Sequence, residues 1–107
     1  MLTEAMIQQA VERIVAAATA PLKVIVLGSY ARGDAHEDSD LDLIVVEKEI
    51  TDHTREYVRL RTALGSLSVG VDLLLYPEVE FEKRRDWCST PIYWAVREGK
   101  VFYEATQ

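Results

Sequence analysis

The chain is poor in residues that cross-link or interrupt a fold. Its single cysteine, Cys88, excludes an internal disulfide and suits a reducing compartment. Three prolines and five glycines are too few for a flexible linker or a low-complexity segment, and no internal repeat is visible. No run approaches the ~18 consecutive apolar residues of a membrane-spanning helix. The N-terminus lacks a basic stretch followed by an apolar segment and a cleavage site, so no secretory signal is expected and the expected location is cytoplasmic. Basic residues are scarce too: 12 Lys and Arg against 18 Asp and Glu give a net charge of −6. That sign makes a poor non-specific binder of nucleic acid and repels polyphosphates at long range. At 107 residues, one domain spanning 1–107 with a modest core is expected.

Apolar periodicity supplies the frame. Met6, Ile7, Ala10, Val11, Ile14, Val15 and Ala18 fall on one stripe of a helix over 3–19, with Thr3 as its cap and Pro21 as its stop. Lys23–Leu27 reads as a short buried strand. Residues 51–65 form a second helix, capped by Thr51 or Asp52 and ended by Gly65, with Tyr57, Leu60 and Leu64 inward. Arg55 and Arg59 share its solvated side, and His53 has no assigned role. After Pro77, Glu78–Arg85 places acids in its first turn and bases in its last, as a helix dipole favours. Thr90-Pro91 starts another helix, which Gly99 ends and which Trp87, Ile92, Trp94 and Ala95 should pack down. Val101-Phe102-Tyr103 reads as a short edge strand or an extended tail.

The chemistry is concentrated in residues 28–46, GSYARGDAHEDSDLDLIVV. A Gly28-Ser29 turn follows the apolar strand, and ten residues later Asp40 and Asp42 alternate at the start of another. Alternate strand residues share a face, with Cα atoms roughly 6–7 Å apart. Two carboxylates so placed can hold one hard cation, and Mg²⁺ fits because it takes oxygen ligands and completes its shell with substrate phosphates. Glycine allows close backbone approach to a ligand, and Ser29 at the start of a short helix offers N–H groups to an anion. Val71-Asp72-Leu73-Leu74-Leu75-Tyr76 is a further strand, with Asp72 as its only charge. Three carboxylates at adjacent strand ends would suit a two-metal site for in-line attack on a phosphoryl group. Tyr30 is expected to pack, Arg32 is a candidate phosphate contact, and His36 belongs to a solvated loop.

The run Gly28-Ser29-Tyr30-Ala31-Arg32-Gly33, the Asp40-Leu41-Asp42-Leu43 strand and Asp72 together resemble the DNA polymerase β-like nucleotidyltransferases. Within these they look like the minimal nucleotidyltransferase (MNT) domain, the antitoxin of HEPN/MNT toxin–antitoxin pairs. The resemblance is clear over residues 22–76. It implies an α/β (α+β) fold with a palm-like mixed sheet, strands near 22–27, 41–47 and 71–76 at its centre, and helices packed on one face. It implies Mg²⁺-dependent transfer of AMP from ATP to a hydroxyl, that of a tyrosine on a HEPN ribonuclease toxin, in a hetero-oligomer. Asp40, Asp42 and Asp72 would be the catalytic and metal-binding acids, with two Mg²⁺ ions, and Gly28, Ser29 and Arg32 the nucleotide-binding set. Two other functions fit the same residues: an antitoxin that neutralises by binding alone, and nucleotidyl transfer to a small molecule such as an aminoglycoside. The latter would require a second subunit to build the acceptor pocket.

Overall fold

The computed structural model describes residues 1–105. Helix α1 (Glu4–Ala17) leads into strand β1 (Pro21–Leu27), a single helical turn α2 (Ser29–Arg32) and strand β2 (Leu41–Glu47). Helix α3 (His53–Leu64), strand β3 (Val71–Pro77), helices α4 (Glu78–Arg84) and α5 (Pro91–Glu98) and strand β4 (Lys100–Glu104) follow. The strands form one mixed sheet in the order β3-β2-β1-β4, with β2 and β3 parallel and the other pairs antiparallel. Val101–Tyr103 thus belongs to an edge strand.

The sheet carries helices on both faces, which corrects the expectation of helices on one. Leu41, Leu43 and Val45 of β2 join Val24, Val26, Leu73 and Leu75 under α1 and α3, through Ile7, Val11, Ile14, Leu60 and Leu64. The alternate residues Ile44 and Val46 join Ile25 under α4 and α5, through Phe81, Ile92 and Ala95. The reason lies in the central strands. Val24–Leu27 and Leu43–Val46 are unbroken apolar runs, and a strand apolar at every position needs cover on both sides. The acids face the α4–α5 side, because Asp42 shares the parity of Ile44 and Val46.

Several local expectations are refined. Thr3 does cap α1: Met6 N donates to Thr3 Oγ1 at 3.2 Å and Thr3 N donates to Met6 Sδ at 3.4 Å. Met6 therefore stays on the surface, 46% exposed, and leaves the apolar stripe. Pro21 opens β1 opposite Glu47, beside a register shift, where its missing N–H is tolerated. Asp52 rather than Thr51 caps α3, accepting from Arg55 N at 3.0 Å. His53 acquires a role: its Nε2 donates to Leu75 O at 2.8 Å, tying α3 to β3. Ile92 and Ala95 anchor α5 as expected, but Trp87 and Trp94 remain about half exposed. Trp94 instead donates its indole N–H to Cys88 O at 3.1 Å. No helix among the described residues is long and apolar enough to cross a membrane.

Candidate active site

Strand pairing brings the three aspartates together. Asp42 stands opposite Asp72 in the parallel β2–β3 register, and opposite Leu27 in the antiparallel β1–β2 register. Gly28 follows Leu27 and so arrives beside Asp42. Its φ of 75° lies in the left-handed region, where a side chain is strained. A Cβ there would also run into Oδ2 of the Asp42 carboxylate. The turn requires the glycine, and its lack of a side chain leaves room for the Asp42 carboxylate.

A second glycine does the same for Asp40, and the motif gave no hint of it. Gly70 lies just before β3, and its carbonyl accepts from Leu41 N at 2.8 Å. A Cβ on Gly70 would meet Asp40 Oδ1 at 2.5 Å and Cγ at 3.1 Å. The only signal in the sequence is a glycine one residue ahead of the Asp72 strand. Ser39 is the other residue that sequence reasoning passed over. It is buried, and its Oγ accepts from His36 N at 2.9 Å, bracing the loop that delivers Asp40. His36 turns its ring to the same loop, accepting from Asp38 N at 3.2 Å.

The charges at the site oppose one another. Partial burial first, then the nearby charge of Asp72 and a hydrogen bond shared with it, then Asp40, raise the Asp42 carboxyl above its ordinary value; Arg32 pulls the other way. Arg32 is near enough to be felt, but its guanidinium is paired with Asp34 at 3.4 Å and half exposed. The structure therefore brings Gly28, Ser29, Asp40, Asp42 and Asp72 to one end of the sheet and leaves Arg32 at the margin, held by a neighbour. Tyr30 is structural, as expected: its hydroxyl accepts from Leu2 N at 3.1 Å.

The helix that begins at Ser29 is one turn long, and its Ala31 and Arg32 amides are already spent on Gly28 O. Its pull on an anion comes from the local Ser29 and Tyr30 amides rather than from a summed dipole. Among the described residues no three acid, histidine or cysteine side chains close on one point. A hard cation suits this donor set nonetheless. Oxygen donors are in place, their mutual repulsion favours a positive charge, and Mg²⁺ is commonly held by one or two carboxylates with substrate phosphates and water completing the shell.

The chain is similar to known proteins in sequence and in fold. The nucleotidyltransferase domain family matches residues 7–93. A candidate protein adenylyltransferase of Methanocaldococcus jannaschii is 31% identical over 81 residues, which cover 76% of this chain and 77% of that protein. A second from the same organism is 36% identical over 55 residues, which span 51% of this chain and only 54% of that one. Among solved structures, a toxin–antitoxin crystallised with AMP-PNP superposes with a TM-score of 0.69 at 21% identity, over 99% of this chain and 77% of that one. At that identity the likeness is one of fold.

Proposed function

Because the chain belongs to the nucleotidyltransferase domain family, we propose that it transfers AMP from ATP to a hydroxyl on a toxin protein and thereby acts as its antitoxin. The observation that carries this reading is the register that sets Asp42 beside Asp72 with Gly28 against the Asp42 carboxylate. The names of the matched relatives, which describe protein adenylyltransferases, support a protein acceptor. The toxin–antitoxin of similar fold supports a toxin as that acceptor. A tyrosine of a HEPN ribonuclease is the acceptor that the motif resemblance favours.

In this scheme Asp40 and Asp42 would hold Mg²⁺, with Asp72 available to a second ion, and the metal would neutralise the triphosphate charge when bound. The chain's own groups do the rest. Gly28 lets the backbone approach the β- and γ-phosphates, and the Ser29 N–H and hydroxyl bond to them. Asp72, exposed at the head of β3, accepts the proton of the attacking hydroxyl. The hydroxyl oxygen bonds to the α-phosphorus, the bond from that phosphorus to the β-phosphate oxygen breaks, and pyrophosphate leaves. Positioning and charge neutralisation supply most of the acceleration.

The test uses ATP labelled at the α-phosphate, Mg²⁺ and the product of the neighbouring gene, resolved on a gel. Label on the partner, lost with Asp40→Asn, is the expected result. A stable complex without label would overturn the catalytic reading in favour of neutralisation by binding.

A further inference from the structure

Strand β2 carries a second buried acid at its far end. Glu47 lies five residues beyond Asp42, roughly 16 Å away along an extended strand. It is fully buried, at 0% exposure. Its Oε1 accepts from Ala20 N at 3.0 Å, while its Oε2 has no partner. Glu47 forms part of the wall of a cleft of about 330 Å³, which Thr19 and Glu56 also line.

Glu56 of α3 is buried there too and is fully engaged. Thr19 N donates to its Oε2 at 2.9 Å, Thr19 Oγ1 donates to its Oε1 at 3.0 Å, and Arg59 Nη1 stands 3.7 Å from Oε1. Arg59 also donates to Thr19 Oγ1 at 3.1 Å. Two acids are therefore packed side by side, and one carboxylate oxygen has no donor. Leaving that oxygen charged and unpaired is costly. A proton on it removes the orphan, because the O–H can then donate to the Glu56 carboxylate.

We propose that Glu47 and Glu56 share one proton, and that this proton clasps the α1–β1 turn, β2 and α3 together at the end of the sheet remote from the aspartates. The clasp joins three segments because Ala20 bonds to one acid and Thr19 to the other. The charges facing it are Glu49 and Asp52 from the loop before α3, and Arg55 and Arg59 from α3 itself; Thr19 and Ala20 bring none. Burial, then the hydrogen bond with Glu56, push the Glu47 carboxyl up to about 7, against the pull of the Ala20 amide. Burial also works to raise Glu56, but the bonds from Glu47 and Thr19 and the Arg59 charge leave it lowered. A metal ion does not fit in the proton's place. Glu47 Oε2 is covered, and among the described residues no third ligand closes on the pair.

The sign follows from Glu47 being raised. Its contribution to stability is complete below the ordinary glutamate value of 4.5 and is lost as pH rises through about 7. Glu47→Gln keeps an acceptor for Ala20 and a donor for Glu56 but cannot titrate. Denaturant unfolding of the wild-type and variant chains at pH 5 and pH 8 reads the difference. The expected result is a folding constant that rises, variant over wild type, on the order of 10²-fold between the two pH values. A ratio that does not change with pH would overturn the clasp. If the variant does not fold, the side-chain carboxyl ¹³C resonances of the wild-type chain decide. One glutamate titrating near neutrality, in step with the Thr19 and Ala20 amides, is expected. Every glutamate titrating in the ordinary acid range would refute it.

Discussion

Gly70→Ala tests the site most cleanly, because it should damage geometry without damaging the fold. Gly70 is not among the glycines at positive φ, so alanine meets no backbone strain there. The new Cβ would lie 2.5 Å from Asp40 Oδ1, whereas ordinary contacts begin at 3.4 Å. Asp40 is exposed, so its carboxylate can swing away by roughly 1 Å, with a stability change within ~0.5 kcal/mol. Catalysis has no such freedom. A displacement of about 1 Å in a positioned group costs on the order of 10²-fold in rate, or about 2.7 kcal/mol. Initial rates of AMP transfer from labelled ATP, with melting curves alongside, provide the assay. Gly33→Ala is the control. It has nothing within 4 Å but a φ of 85°, so it should lose about 1 kcal/mol of stability and keep its activity. Transfer by Gly70→Ala within about threefold of wild type would show that Asp40 need not be held where this glycine puts it.

Four further outcomes are expected. Asp42→Asn should abolish transfer and, without metal, stabilise the fold at neutral pH. The raised Asp42 carboxyl contributes stability that is complete below the ordinary aspartate value of 3.8 and is lost as pH rises, so the gain should vanish near pH 3.5, as melting with chelator present would report. Adding Mg²⁺ should raise the melting temperature of the wild-type chain but not that of an Asp40→Asn, Asp42→Asn double variant. Arg32→Ala should weaken ATP binding only slightly, since its guanidinium is paired with Asp34 at 3.4 Å; a large rise in KM would count against its marginal placement. Leu43→Ala, at a position with 0% exposure, should cost about 2–5 kcal/mol in urea unfolding.

The site was legible in the sequence to the extent that its chemistry is local. Asp40 and Asp42 share a face because a strand has a period of two, and the Gly28-Ser29 turn is marked by an apolar strand that ends in glycine. The strands and their order along the chain follow from the same runs. Capping by Thr3 and the stop at Gly65 are likewise short-range, and the structure agrees with them. The exposure of Met6 and the half-exposed Trp94 depart from the apolar pattern because each has a local polar or sulfur contact that periodicity does not weigh.

By itself, the sequence determined the acids, their alternation, the turn that faces them and the acidic balance that sets the charge of the whole chain. Only the tertiary structure decided what lies beside what. The parallel pairing of β2 with β3 puts Asp72 level with Asp42, although 29 intervening residues separate them. The same pairing sets Gly70 against Asp40, and helix packing places Glu56 against Glu47. Those contacts join segments distant along the chain, so neither residue of a pair carries a local mark of the other. Which acids share a charge, a cation or a proton depends on distances across the sheet, and those exist only once the strands have found their register.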